Sequence, residues 1–499
     1  MRKLSFFLLA LCLAGAAKLD RIAESYVSHF ENVLGTSLEL KLDAETPKAA
    51  GKAEAAALAE IDRLAAILSS YDKTSEFSHW FQTNGQAVAV SPELLEVLSL
   101  FDRWRTATGG ALDPAAEAVN RVWKNAAKEN RMPSQAELAS AVSAVQRKHW
   151  SVDPTAGRVT HLSATALALN SFTKSYIIGK AANAAVASGA VTSAVVNIGG
   201  DIVVRGDRSQ IVDIADPMAA SDNAAPISRI VVRNSTVATS GDYKRGVEIE
   251  GRHYSHIVDP RTGQPADRII SATVVAANPA DAGALATAFS VLSPAESKKL
   301  AATIPGAEYL LIAQGGKQIA SSGWSKLEVV RPAMMLADAQ GGAAWNTSYE
   351  LNITLALNRI EGQRTRRPYI AVWIEDKDKF PVRTIALWFD KTRWLPELKG
   401  WNRVDRIRSL AEGTDITSTV SSATRPPGKY ILKWDGKDNA GKLVKPGKYT
   451  VVIEASREHG TYQLMHQEMD FTGVPKQINL TGNVEVESAT LDYRKTTTH

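Results

Sequence analysis

Apolar residues recur along this chain with two periods, and each change of period marks a new element. Ile22, Tyr26 and Phe30 stand four apart, which predicts a short amphipathic helix over residues 20–30. In the run 33–42, Leu38, Leu40 and Leu42 alternate with polar residues, the pattern of a half-buried strand. Leu58, Ile61, Leu64, Ala65 and Leu68 return to helical spacing and predict a helix over 49–68 with its apolar stripe on a core. A helix over 92–106 starts with Ser91 as N-cap and Pro92 at the first helical position, and Gly109-Gly110 lies just past its end. Another follows the cap Ser134 and runs to 147, and a third, over 173–188, is closed by Gly189. Strands over 191–204 flank a Gly-Gly-Asp turn, an Ala/Leu helix covers 282–292, and closing strands are expected at 309–312 and 326–330. Helices and strands mix without a regular strand-helix-strand repeat, which favours an α+β domain over a doubly wound sheet.

The pattern changes near Arg331. Residues 332–344 are Ala/Gly-rich with little periodicity, the composition of a linker. Beyond them, strands are predicted at 349–357, 369–375, 383–389, 429–434 and 449–454, with turn chemistry at Trp434-Asp435-Gly436, Asn439-Ala440-Gly441 and Lys445-Pro446-Gly447. Many short strands with such turns suggest an all-β sandwich. Trp345, Trp373, Trp388, Trp394, Trp401 and Trp434 cluster here and suit its core better than a ligand platform. Asp435 and Asp438 read as a polar turn in preference to a Ca²⁺ loop. His459 and His466 are too few to define a metal or haem site.

With 499 residues the chain has room for several domains, and its formal charge of +5 is too small to demand nucleic acid. The N-terminus adds a location. Arg2 and Lys3, the apolar run 4–13 and Ala14-Gly15-Ala16 form a secretory signal over 1–16, too short to span a bilayer permanently, and place the mature chain in the periplasm. The only cysteine, Cys12, lies within that segment behind Leu11, where a lipoprotein signal would carry a small residue. The mature chain therefore has no disulfide and no Cys metal site, and no later segment is apolar enough for a membrane span.

Candidate chemistry is densest from Thr239 to Gly263, where Thr239, Ser240 and Asp242 sit in a Gly-bearing turn and His253, His256, Asp259 and Arg261 follow closely. Other pieces stand in order before it: Leu34-Gly35-Thr36, Ser70-Tyr71-Asp72, Gly109-Gly110-Ala111-Leu112-Asp113-Pro114, Lys174 with Tyr176, Asn197-Ile198-Gly199-Gly200-Asp201 and Asp216-Pro217. Together, over about 31–330, they resemble the ApbE family of FAD:protein FMN transferases. The resemblance implies an α+β flavin-transferase-like domain over 17–331 that binds FAD and moves FMN to a threonine of an exported or membrane redox protein. It implies contacts to FAD from Leu34, Tyr71, Ala111, Leu112, Asp113, Lys174, Gly199, Gly200, Asp201, Ser240 and Ile257. His256 and Asp242 are the implied catalytic pair. For Mg²⁺ it implies Ser171, Thr287 and Asp281. Physical roles follow for several of these. Lys174 at a helix start joins a mobile cation to free backbone donors, a sound anion site. Tyr71 either stacks on the isoalloxazine or packs in the core, and His256 either moves a proton or bonds its own turn. The segment over 345–495 resembles a family of uncharacterised periplasmic domains, and its 434–449 hairpin resembles those of immunoglobulin-like sandwiches.

The departures bear on chemistry. The family places an Asp and a Thr four residues apart on one helix, which puts both oxygens on one face. Here Thr287 is present, but Gly283 stands at the Asp position. Before Lys174 the family carries Asp-Leu-Gly-Gly-Ile-Ala, where this chain has Ala168-Leu169-Asn170-Ser171-Phe172-Thr173, so a second carboxylate is missing. Either Asp281, Asn170, Ser171 or Asp242 compensates, or the chain is a catalytically impaired FAD-binding protein serving a periplasmic redox system. A β-sandwich scaffold carrying an inert first domain is the remaining alternative.

Overall fold

In the computed structural model, β1 (Glu24–Val33) and β2 (Thr36–Ala44) are joined by a turn in which Leu34 and Gly35 both have positive φ, 50° and 74°. The helix expected over 20–30 is thus a strand. Residues four apart, such as Tyr26 and Phe30, share a face in a strand as well as in a helix, and the antiparallel ladder from Glu24–Ala44 to Phe30–Leu38 decides between them. The structure describes residues 23–219, 221–241, 246–329, 345–359, 367–389, 392–412, 421–422, 424–457 and 460–496. The expected signal segment 1–16 and expected linker 332–344, with Asp242 and His459, lie outside the described residues.

From β2 the chain continues through α1 (Pro47–Leu68), α2 (Glu76–Phe81), β3 (Ala87–Ala89), α3 (Pro92–Ala107), α4 (Ala116–Lys128), α5 (Gln135–Val145), β4 (Trp150–Asp153), β5 (Arg158–His161) and α6 (Thr173–Ala187). Then come β6 (Ser193–Ile198), β7 (Asp201–Gly206), β8 (Gln210–Ile214), β9 (Ser228–Val232), β10 (Thr236–Gly241), β11 (Gly246–Ile249), β12 (Arg252–Ser255) and β13 (Ile269–Ala276). The helices α7 (Pro279–Val291) and α8 (Pro294–Ala301) precede β14 (Glu308–Ala313) and β15 (Gln318–Ala320). The strand expected at 326–330 is instead a 3-10 turn, Trp324–Lys326, followed by one bridge between Ile230 and Glu328. Burial of the Trp324 indole, whose Nε1 donates to Ser228 Oγ at 3.2 Å, bends the chain there.

The main sheet runs β1-β2-β6-β7-β10-β13-β14-β15, antiparallel throughout. Leu38, Leu40, Val196 and Val274 face the core under α1, α6 and α7. Val195, Val204 and Val275 face the β8–β9 hairpin and Trp324 on the other side. Two faces buried by different partners explain why β6 reads as an apolar run without alternation. The caps are those expected: Ser91 Oγ accepts from Leu94 N–H, and Ser134 with Glu137 forms a capping box.

The second unit is built from β16 (Tyr349–Leu357), β17 (Tyr369–Glu375), β18 (Pro381–Trp388), α9 (Lys399–Glu412), β19 (Ser421–Ser422), β20 (Gly428–Trp434), β21 (Lys448–Ser456), β22 (Tyr462–Asp470), β23 (Lys476–Thr481) and β24 (Val486–Lys495). Its sheets, β20-β16-β24-β23 and β19-β18-β17-β21-β22, bury Leu351, Ile353, Trp434 and Tyr493 against Val372, Ile374, Val451 and Ile453. Trp345, Trp373, Trp388, Trp401 and Trp434 are all buried. Helix α9, not anticipated from the sequence, seals the outer face with Trp401 and Val404 against Tyr369 and Trp373. The Glu454 carboxylate accepts the N–H groups of Gly400 and Trp401, both at 2.8 Å, and so caps this helix from the sheet. Asp438 Oδ1 accepts from Ala440 and Lys442 N–H, both at 2.9 Å, and closes its own turn. The β20 edge is covered by the first unit: Asn223 exchanges two 3.0 Å hydrogen bonds with the Lys433 backbone.

One buried histidine couples the first unit to pH. His149 Nδ1 lies 2.8 Å from Ser163 Oγ and Nε2 lies 3.0 Å from the Val145 carbonyl. Burial pulls its pKa from 6.5 down to about 4, and the bond to Val145 only partly opposes this. The folded state therefore prefers the neutral ring. That contribution is complete above pH 6.5 and is lost as pH falls towards about 4. Melting curves across this window should show acid destabilisation of about 3 kcal/mol from this residue. His149→Gln should flatten the curve; an unchanged acid limb would refute the assignment.

Candidate functional site

Neighbouring strands deliver the candidate residues to one end of the main sheet. The β1–β2 turn brings Leu34, Gly35 and Thr36, and the β6–β7 turn brings Gly199 and Gly200, since β2 and β6 are paired. Gly199 N–H donates to the Ser37 carbonyl at 3.2 Å and links the two turns. Gly199 and Gly200 have φ of 60° and 98°, a conformation that favours glycine. A Cβ at Gly199 would lie 3.0 Å from Thr36 Cγ2 and 3.3 Å from Lys174 Nζ. The bare glycine thus lets the ammonium of Lys174, in the first turn of α6, close over the turn.

Asp201 begins β7 directly below. Its Oδ2 accepts from Ser175 Oγ at 2.8 Å, and Ser175 is fully buried. Burial raises the pKa of this carboxyl, while Lys174, the Ser175 hydroxyl and the Thr239 N–H pull it back. Thr239, the first residue of the dense stretch, closes the group at the end of β10, where its Oγ1 lies 3.0 Å from Thr273 Oγ1. Ser240 follows, half-buried, paired with Ala272 of β13.

The loop ahead of α6 is the hub, with five consecutive residues holding four other segments of the chain. Ala168 N–H donates to Pro114 O at 2.9 Å. Leu169 N–H donates to Ser70 Oγ at 2.9 Å. Asn170 Nδ2 donates to the Tyr71 hydroxyl at 2.6 Å. The Ser171 carbonyl accepts from Thr287 Oγ1 at 2.9 Å, and the Phe172 ring lies 4.3 Å from that of Phe101. Tyr71 itself is 81% exposed, so its ring is a surface platform rather than a core residue.

A second group sits around the 109–114 and 259–263 turns. Ala111 and Leu112 are buried, with both N–H groups donating to Thr108, and Asp113 pairs with Arg105 at 2.8 Å. Burial pushes the Asp113 carboxyl up to about 6. Arg261 binds Asp259 through two bonds, at 2.9 and 2.8 Å, and packs over Gly110. Trp123 Nε1 donates to Gly263 O at 2.9 Å, and its ring lies 5.1 Å from Tyr254. His256, exposed, follows β12, and Ile257 N–H donates to Ser255 Oγ at 3.0 Å.

The implied Mg²⁺ set is only partly assembled. Thr287 and the Ser171 carbonyl meet, but Asp281 lies six residues back on α7 and pairs with Arg103 of α3. Gly283 faces Ser175 and Phe172: a Cβ there would lie 2.5 Å from Ser175 Oγ and 3.1 Å from Phe172 Cα. Mg²⁺ relies on one or two carboxylates beside phosphate and water. The hydroxyl and carbonyl, already bonded to each other, fit it poorly, and among the described residues no group of three His, Cys, Asp or Glu side chains gathers for a metal. Ser175 and Arg105 were not singled out from the sequence. The signal for Ser175 was its place directly after Lys174, with Gly283 standing where the resemblance implies a carboxylate.

Comparison with known proteins follows the same division of the chain. Residues 350–488 match a family described as a predicted periplasmic protein, DUF2271. An FAD:protein FMN transferase of Vibrio cholerae is 29% identical over 277 residues, covering 53% of this chain and 82% of its own. One from Treponema pallidum is 29% identical over 261 residues, covering 48% and 71%. The crystal structure of the ApbE protein from Thermotoga maritima has a TM-score of 0.55 at 26% identity, covering 62% of this chain and all of that one. The apo form of Pseudomonas stutzeri flavinyl transferase ApbE, at 20% identity and a TM-score of 0.51, covers 62% and 99% and shares the fold. The ApbE family model spans residues 34–311, more than half of the chain, and the chain belongs to that family.

Proposed function

We propose that the chain is an FAD:protein FMN transferase that works in the periplasm on a threonine of an exported or membrane redox protein. The observation that carries this is the closure of Lys174 over the Gly199-Gly200 turn, beside a loop that also holds the exposed Tyr71. A cation and free backbone donors at a helix start suit a pyrophosphate, and a free aromatic face suits an isoalloxazine. The like-named relatives in Vibrio cholerae and Treponema pallidum support the same activity.

In this scheme FAD lies with its flavin towards Tyr71 and its pyrophosphate towards Lys174, Gly199 and Gly200. Leu34, Ala111, Leu112, Asp113, Ser240 and Ile257 complete its binding surface. The acceptor threonine oxygen forms a bond to the FMN phosphorus, the bridging P–O bond breaks, and AMP leaves with that electron pair. The hydroxyl proton passes to a base, for which His256 and Asp242 are the candidates. Mg²⁺ would supply charge neutralisation if bound, but with Thr287 and the Ser171 carbonyl alone no step is assigned to it. Residues 17–331 form the transferase domain, behind a signal at 1–16. Residues 345–495, joined through 332–344, form an immunoglobulin-like sandwich that meets the partner.

Incubating the purified protein with FAD and exported redox proteins should release AMP and leave covalent flavin on one of them, seen as in-gel fluorescence at its threonine. Absence of both products across such acceptors would refute the transferase assignment.

A further inference from the structure

The position from which α7 faces the pyrophosphate corner is filled. Gly283 has no room for a side chain, because a Cβ there would overlap Ser175 Oγ at 2.5 Å and crowd the Phe172 backbone at 3.1 Å. The Ser175 hydroxyl that occupies this space is bonded to Asp201. The two helices stay close along their seam, since a Cβ on Gly179 would lie 2.5 Å from Pro279 Cγ. The acidic side chain earlier on α7, Asp281, is turned to Arg103. Thr287 donates its proton to the Ser171 carbonyl, so each of these two oxygens already has a partner. Among the described residues the one carboxylate in this corner is Asp201, and it is shared by Ser175, the Thr239 N–H and Lys174.

We propose, resting on the transferase reading, that this chain holds the flavin pyrophosphate without a divalent cation: Lys174 supplies the positive charge, and the Ser175–Gly283 contact closes the position from which α7 would present a metal-binding carboxylate. Ser175 and Asp201 are then positioning residues. Asp201 draws the ammonium towards this corner by its charge, without a direct bond, and Ser175 fixes Asp201. The geometry also couples the sizes allowed at positions 175 and 283. A hydroxymethyl group on α6 requires a bare glycine on α7, and a carboxylate on α7 would require a glycine on α6.

The test is equilibrium titration of the full chain with FAD, followed by flavin fluorescence, in excess Mg²⁺ and in EDTA. The dissociation constant should agree between the two within about twofold, whereas loss of a metal–phosphate contact would weaken binding at least about tenfold. Tenfold weaker binding in EDTA overturns this inference and leaves the transferase assignment standing. Failure to bind FAD in either buffer overturns both. The double variant Ser175→Gly/Gly283→Asp supplies the opposite arm: with room for the carboxylate, its FAD affinity should become about tenfold stronger in Mg²⁺ than in EDTA. A double variant that melts cooperatively yet stays indifferent to Mg²⁺ refutes the role given to the Ser175–Gly283 contact.

Discussion

Lys174→Met lowers the rate of FMN transfer by about 100-fold, the usual scale for removing one preorganised charge from a phosphoryl-transfer site. In the proposed pose the loss falls on chemistry, because the ammonium would stand where charge develops as AMP departs, against a turn whose glycines leave no side chain in the way. Methionine keeps the aliphatic stem. Lys174 is only partly buried, so stability should change by less than about 0.5 kcal/mol. Asp201 then loses the cation that opposes its burial, and its carboxyl pKa rises further. It can take up a proton and keep its bond to Ser175, which limits the structural cost. Lys174→Arg restores the charge but not the activity, since Thr36 and Gly199 leave a corner shaped for an ammonium rather than a planar guanidinium. Initial rates of AMP release, with melting curves as the control for folding, decide the matter. A Lys174→Met rate within about threefold of wild type would remove Lys174 from the chemistry.

What the sequence disclosed follows from how local each signal is. The starts of α3 and α5 were legible because Ser91 and Ser134 bond N–H groups only three residues away. The Gly199-Gly200 turn was legible because its positive φ values demand glycine whatever surrounds it. β1 was misread because Tyr26 and Phe30 satisfy both periods, and only its ladder with β2 separates them. Helix α9 was missed because its stability comes from Trp401 packing on Trp373 and from a cap contributed by Glu454, far along the chain. The site shows the same divide. Its motifs could be found one by one, but the role of 168–172 as a hub could not, because that stretch differs from the family pattern in sequence and its partners lie in four other segments. The Gly at 283 was legible as a missing carboxylate; that its space is taken by Ser175 required both helices to be seen together.

That packing reverses the natural expectation for Gly283→Asp. Read from sequence, the substitution restores a ligand and should raise activity. Read from the structure, it should destabilise the first unit by about 3–5 kcal/mol, through overpacking and a buried charge without a cation partner. The new Cβ meets Ser175 Oγ and the Phe172 backbone, and neither yields cheaply. Ser175 is bonded to Asp201, and Phe172 stacks on Phe101 in the core. Spreading α6 from α7 is resisted one turn away, where Gly179 meets Pro279. The carboxylate would also lie near Asp201, a like charge. Gly283→Ala separates the two costs: it carries the overpacking alone, about 1–3 kcal/mol. Adding Ser175→Gly to Gly283→Asp should recover more stability than Ser175→Gly loses by itself, a coupling of about 1–3 kcal/mol between the two positions. Thermal melts of the four variants and the wild type measure each quantity. If Gly283→Asp melts with wild type, the seam between α6 and α7 is looser than its geometry indicates, and the route to a carboxylate-bound metal in this chain is open after all.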